Sequence, residues 1–292
     1  EKSWRISREM MGYLKLPNIE LMVSLFGRPY IDVRNSFNSF LPNSLNSEIC
    51  EKLINEYIST LNKRPHLHDK VEFDIVFTCY EFDIKNKFTN RYPGVLNDNE
   101  LSEYCNKLKE ITKKSINNET DNTLDYSIKL IDKLKFLQKN LNEEFNNIHE
   151  ISEQISLLVN ECIEYGTIPF AISARHGFIS EILMKSLEEL NLISKKRLNE
   201  FKKSIKTISS ELSNDFYRVS IGEISKSDFL LNYGHLRPNS YDILSLSYLN
   251  RPEIFDGVPK KSQNISDFRL TNQESKKISK VLKDHDFNIE AS

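Results

Sequence analysis

Apolar side chains recur with heptad-like spacing through residues 98–117, 122–140 and 142–165, and the remaining faces are polar. That period builds helices and is incompatible with strands. The whole chain has only eight glycines and nine prolines to interrupt such runs, too few turns for a many-stranded sheet. Residues 47–62 carry the same signature, with Ile49, Leu53, Ile54, Tyr57 and Leu61 on one stripe. A helix is also expected from Thr167, as N-cap with Pro169 in the first turn, to about Leu190. Further helices are expected over 195–217, over 226–233 between Ser225 and Gly234, and near 272–285, while the first forty residues read as irregular.

Two runs break the helical pattern. Ile31, Val33 and Phe37 alternate with Asp32, Arg34, Ser36 and Asn38; Val71, Phe73, Ile75, Phe77 and Cys79 alternate with Glu72, Asp74, Val76, Thr78 and Tyr80. Period two predicts strands, paired with each other in a small sheet. The expected class is α+β, mainly helical, as one domain over 1–292, with a projecting helical hairpin about 97–165 that turns between Asn117 and Thr123. The chain opens at Glu1-Lys2-Ser3-Trp4 without a Met and reads as part of a longer protein.

Composition narrows the function. Forty basic against forty-two acidic residues give a net charge of −2 and no basic footprint for nucleic acid. The cysteines, Cys50, Cys79, Cys105 and Cys162, are far apart and suit reduced thiols in the cytoplasm. No apolar run of membrane-spanning length is expected. Metal binding is not expected either: His66-Leu67-His68-Asp69 crowds three ligand residues into four positions without partners elsewhere.

Arg175 is the most informative residue. On the helix from Thr167 it falls within the apolar stripe of Ile168, Ala171, Ile172, Phe178, Ile179, Ile182 and Leu183. A guanidinium cannot shed its proton, so burial demands an anionic partner, either a core carboxylate or a ligand. His176 sits at the stripe's edge. Glu72 and Asp74, on one strand face, suit an amine or a guanidinium, and Arg34 across the sheet is the expected neutraliser. Asn38 shares the polar face of Arg34. His235, Arg237 and Asp242 occupy a polar loop after Gly234, a place for binding groups; either His235 and Arg237 contact a phosphoryl group there, or left-handed Gly234 and His235 cap the helix.

Four ordered runs carry a family resemblance: residues 27–40 (GRPYIDVRNSFNSF); Leu67–Asp74 leading to Thr78–Tyr80; Gly166–Ala171 with Ala174 and Arg175; and Tyr233–Pro238 with Tyr241–Ile243. Together they resemble the central region of phosphoenolpyruvate-synthase-like phosphotransferases, nearest to the L-glutamine kinases of capsular phosphoramidate biosynthesis. The resemblance implies an N-terminal ATP-grasp part and a C-terminal swivelling domain with a phosphocarrier histidine, both outside this chain. It implies ATP and Mg for the full-length enzyme, no cofactor in this part, and no catalytic residue here. It carries over Arg34, Glu72, Arg175, His235 and Arg237 as lining an acceptor cleft, with L-glutamine the favoured acceptor. The competing expectation is a helical scaffold that only docks the nucleotide-binding and histidine domains.

Overall fold

A computed structural model describes residues 2–117, 124–139, 147–237, 244–256, 267–287 and 289. The class is α+β, mainly helical with one small sheet. The chain divides into two compact units rather than the single domain expected: Glu1–Leu192 with Lys276–Ala291, and Ile193–Ser275.

The first unit begins with a helix, α1 (Lys2–Met10), where the sequence reads as irregular. The sheet follows: β1 (Met22–Leu25) and β2 (Arg28–Ile31) pair antiparallel, with Val23 opposite Tyr30. Phe26 and Gly27 form the two-residue turn at φ 52° and 76°. Positive φ at both central residues is what a tight hairpin demands, and Gly supplies it without strain. Asp32 then caps α2 (Val33–Asn38), its carboxylate accepting from the Asn35 backbone N–H. The cap wins over the alternating pattern, so 30–38 is not the strand expected. Next come α3 (Ser47–Lys63), α4 (Ile84–Arg91) and α5 (Asp98–Ile116), the last opened by a capping box between Asn97 and Glu100.

The second expected strand also fails. Val71–Ile75 is a π-helical turn, and Ile75–Phe82 is a fully buried strap. A buried strap leaves backbone groups that must find partners. Helix side chains supply them. Tyr92 donates to the Ile75 carbonyl (2.8 Å), Tyr104 to Phe77 (2.9 Å) and Tyr13 to Thr78 (2.6 Å). The Tyr80 N–H donates to Thr112 Oγ1 (2.8 Å) and the Phe82 N–H to Ser186 Oγ (3.0 Å). Alternation of residues 71–80 reports a strap inserted among helices, buried on both sides, rather than a sheet member.

The helix α6 (Leu124–Lys139) packs along α8 (Ile168–Glu189) instead of projecting, and Ser127 is fully buried there. Between them in sequence lies α7 (Ile148–Cys162), which has no buried residue. Thr167 does not restart the helix. Its hydroxyl donates back to the Ile163 carbonyl (3.1 Å), and α7 runs into α8 through a π-helical turn, Ile163–Thr167. The longer turn accommodates Pro169, which has no N–H to give. Fusion produces a run, Ile148–Glu189, with an 18-residue window of mean hydropathy 1.2. By length and composition alone it passes as a membrane span, where the sequence reading expects none. The turn expected at residues 118–123 lies outside the described residues.

The core of this unit joins Met11, Tyr13, Cys79, Ile111, Ile168, Ile172 and Ile179. Each large apolar side chain so buried contributes about 1.5–3 kcal/mol. Burial pushes the Cys79 thiol up to about 12, so it stays protonated and inert.

The second unit has α9 (Lys195–Ser204), α10 (Ile208–Ser220) and α11 (Lys226–Tyr233). One helix is expected over 195–217; the chain breaks before Thr207, whose hydroxyl caps α10 in a reciprocal pair with Ser210. An aromatic cluster of Phe216, Phe229, Tyr233, Tyr248 and Phe255 gives the unit its own core, with Phe229 wholly buried. Gly234 is right-handed (φ −58°), not left-handed. It is needed for closeness: a Cβ there would lie 2.3 Å from the Leu230 carbonyl oxygen. The last helix, α12 (Asn272–Asp284), falls where the sequence places it.

Candidate functional site

The first unit contains a cavity of about 740 Å³. Its walls are mostly apolar: Trp4 from α1 and Met11 just after it, Ile31 at the end of β2, Val33 and Phe37 from α2, and Phe170, Ala171, Ala174 and Phe178 from α8. Three charged side chains line it: Arg8, Glu72 and Arg175. Their positions follow from local structure. Arg8 shares a face of α1 with Trp4 and Ser7, a face that Met11 in the following turn continues at helical steps of three and four, and Ser7 is buried. Arg175 stands one turn from Ile172 and Ile179 on the buried stripe of α8. Glu72 is carried by the π-helical turn just before the strap.

Glu72 lies between the two guanidiniums. Arg175 Nη2 is 2.5 Å from Glu72 Oε2, and Arg175 Nη1 donates to Thr78 Oγ1 at 3.3 Å. Arg8 Nη2 is 3.6 Å from Glu72 Oε1, while its Nη1 donates to Ser39 Oγ at 2.5 Å. Aromatic faces cover both cations: Arg8 sits 3.7 Å from the Phe40 ring centre, and Arg175 lies 5.1 Å from Phe40 and 5.3 Å from Phe178. The side chains keep 12% exposure for Arg8, 6% for Arg175 and 21% for Glu72. Burial lowers Arg8 to about 10, opposed by Glu72 and reinforced by Arg175, so it remains cationic at neutral pH. Burial also raises the Tyr13 phenol, which stays neutral beside Arg175. Two cations share one anion in an apolar enclosure.

Three of the four runs singled out in the sequence reach this cavity, through Ile31, Val33, Ser36 and Phe37; Val71 and Glu72; and Thr167 to Arg175. The remaining candidates separate. Arg34 does not neutralise Glu72 or Asp74; it is exposed and donates to Asn55 Oδ1 at 3.4 Å. Asp74 is exposed, because residues two apart in a helical turn point to nearly opposite sides, not to one face. Neither Asn38 nor His176 lines the cavity. His235 and Arg237 belong to the second unit and are exposed, with Arg237 Nε donating to the Ser245 carbonyl at 2.9 Å. Asp242 lies outside the described residues. His68 lines the cavity, and among the described residues no three His, Cys, Asp or Glu side chains gather as a metal site.

Sequence reasoning missed Arg8. Its signal was the spacing of Trp4, Ser7, Arg8 and Met11, the stripe of a helix in a segment read as irregular. Compared with protein families, with curated proteins and with solved structures, the chain matches none.

Proposed function

We propose that the first unit is the acceptor-binding part of a larger ATP-dependent phosphotransferase, and that the cavity lined by Arg8 and Arg175 takes the acceptor through its carboxylate. The observation that carries this reading is the charge balance of the cavity: two buried guanidiniums and a single carboxylate within apolar walls. Such an imbalance is costly unless an anion completes it. The family resemblance supports the rest. It favours L-glutamine as acceptor, with a phosphohistidine on a swivelling domain as donor, and ATP and Mg at an ATP-grasp domain of the same polypeptide in the cytoplasm. In this reading the protein phosphorylates an amide for capsule phosphoramidate. These 292 residues position the acceptor, and the chemistry then rests on orientation and electrostatics.

One observation favours the second reading, a non-catalytic scaffold that docks the other domains. Glu72 already partners Arg175 at hydrogen-bond distance, as a purely internal ion pair would. Titration calorimetry of L-glutamine into the 292-residue chain separates the two. Saturable binding that Arg175→Gln abolishes supports the acceptor site. Absence of binding, together with L-glutamine-independent ATP turnover by the full-length protein, supports the scaffold. The chain alone is expected to neither hydrolyse ATP nor transfer phosphate.

A further inference from the structure

The two guanidiniums of the cavity are not equivalent. Arg175 is spoken for: one terminal nitrogen meets Glu72 at 2.5 Å and the other meets Thr78 at 3.3 Å. Arg8 is tied down by Ser39 and by stacking on Phe40, but its second terminal nitrogen stands 3.6 Å from Glu72, beyond hydrogen-bond reach. Position is therefore fixed at Arg8 while charge is left over. Rigid placement of an under-paired cation is what a receptor for an anion requires.

The size of the deficit names the ligand. Arg8 and Arg175 bring two positive charges, and Glu72 removes one. One further negative charge makes the cluster neutral. A carboxylate supplies one, and its planar pair of oxygens matches a guanidinium fork. A phosphate monoester brings about 1.5–2 negative charges, which overshoots beside a carboxylate that stays in place. The apolar lining includes Trp4, Met11, Val33 and Phe170, which suits a short hydrocarbon chain behind the charged group.

We infer that Arg8 is the anion receptor of the cavity, that it takes a carboxylate group carried on a short chain, and that the Arg175–Glu72 ion pair is internal and leaves that role to Arg8. This rests on the reading of the cavity as an acceptor site and assigns roles within it. Glu72 also sets the charge limit: while it is ionised, the seat admits a monoanion and disfavours a dianion.

Butyrate and inorganic phosphate, titrated separately by calorimetry at low ionic strength, test the assignment on the 292-residue chain. The variants are Arg8→Gln, Arg8→Lys and Glu72→Gln, each checked by thermal melting. Butyrate is expected to bind the native chain and to bind Arg8→Gln at least tenfold more weakly. Arg8→Lys keeps the charge without the fork and falls between. Glu72→Gln frees a second cation, so butyrate binds at least as well as to the native chain and phosphate binds at least tenfold better. Butyrate affinity unchanged in a folded Arg8→Gln overturns the assignment, as does phosphate binding that Glu72→Gln leaves unmoved. If L-glutamine binds the native chain and survives Arg8→Gln, the receptor role fails while the acceptor reading stands. If neither butyrate nor L-glutamine binds the native chain, both fall.

Discussion

The cavity of the first unit and the Arg197 cluster of the second use the same residue types in opposite proportions. In the cavity two arginines share one glutamate. In the second unit one arginine has two: Arg197 forks onto Glu274, with Nε–Oε1 and Nη2–Oε2 both 3.1 Å, and reaches Glu200 at 3.0 Å. Arg197 Nη2 also donates to the Arg269 carbonyl at 2.5 Å, and the guanidinium lies 4.3 Å from the Phe268 ring centre. Arg197 thus has protein partners on all three nitrogens and a surplus of anions. Arg8 has a surplus of cation and an unfilled reach. Ion pairing alone therefore says nothing about function; the charge ratio and the enclosure do.

The largest effect should come from breaking the tighter pair. Arg175→Met leaves Glu72 half-enclosed beside a cation 3.6 Å away, and the loss of a buried partner costs up to about 3–5 kcal/mol. Replacing Glu72 as well, with Leu, should recover part of that loss. Arg197→Met should cost less, because Glu274 keeps its bonds from the Thr271 backbone N–H and hydroxyl and the Glu200 side chain is 40% exposed. Urea melts of the three variants check the order. Equal losses at Arg175 and Arg197 would erase the contrast between the two regions.

A second comparison sets the tyrosines of the strap against one in the second unit. Tyr104→Phe removes the donor to the buried Phe77 carbonyl and the 3.0 Å contact with the Tyr57 hydroxyl. An orphaned buried acceptor costs about 1–3 kcal/mol. Tyr233→Phe removes a 3.0 Å bond to Asp215, which is only partly buried and also paired with Arg218 at 3.0 Å, so its effect should be smaller. Amide exchange sharpens the test: Tyr104→Phe should speed exchange along residues 75–82 before it does so in α5.

Most helices were legible because their burial is one-sided: α3, α5 and α12 were found with little error from period and caps. Arg175 was legible for the same reason, since a charge on an apolar stripe stands out. The strap was not, because alternation records burial on two sides and cannot say whether a ladder or tyrosine hydroxyls satisfy the backbone. Residues 31–38 misled because the Asp32 cap is worth more than four residues of alternation. Arg8 was lost with α1, a nine-residue helix with no acidic first turn to announce it. That only two cations meet one anion is a matter of long-range packing, invisible to local pattern.

A smaller, pH-dependent effect is expected where the C-terminal segment of the first unit meets the strap. The Tyr80 hydroxyl lies 2.7 Å from His285 Nδ1, and the Phe82 ring packs edge-on against the imidazole, 5.1 Å between centres. Burial lowers the His285 pKa from 6.5, Lys109 lowers it further, and Asp284 and Asp286 oppose them. The folded state thus holds fewer protons than the unfolded state just below pH 6.5. The contribution is complete above that value and is lost as pH falls through the folded pKa. Melts compared between the native chain and His285→Gln should diverge above pH 6.5 and converge toward pH 5. Nuclear magnetic resonance should place the His285 midpoint below 6.5.

The smallest effect belongs to Glu274. The hydrogen bond from Arg197, then those from the Thr271 backbone N–H and hydroxyl, and the Arg197 charge lower its carboxyl to about 2, with burial opposing them. A depressed carboxylate stabilises the fold above its unfolded pKa of 4.5, and the contribution fades as pH falls toward about 2. The pair sits near solvent, so salt screens it, and the stability at stake is slight. The midpoint itself is the better readout. Arg197→Gln should raise it toward 4.5, and added salt should raise it part of the way. The thermal melt of Arg197→Gln at neutral pH should hardly move. A large loss there would mean that Arg197 behaves as Arg175 does, and that neither charge ratio nor enclosure separates the two clusters.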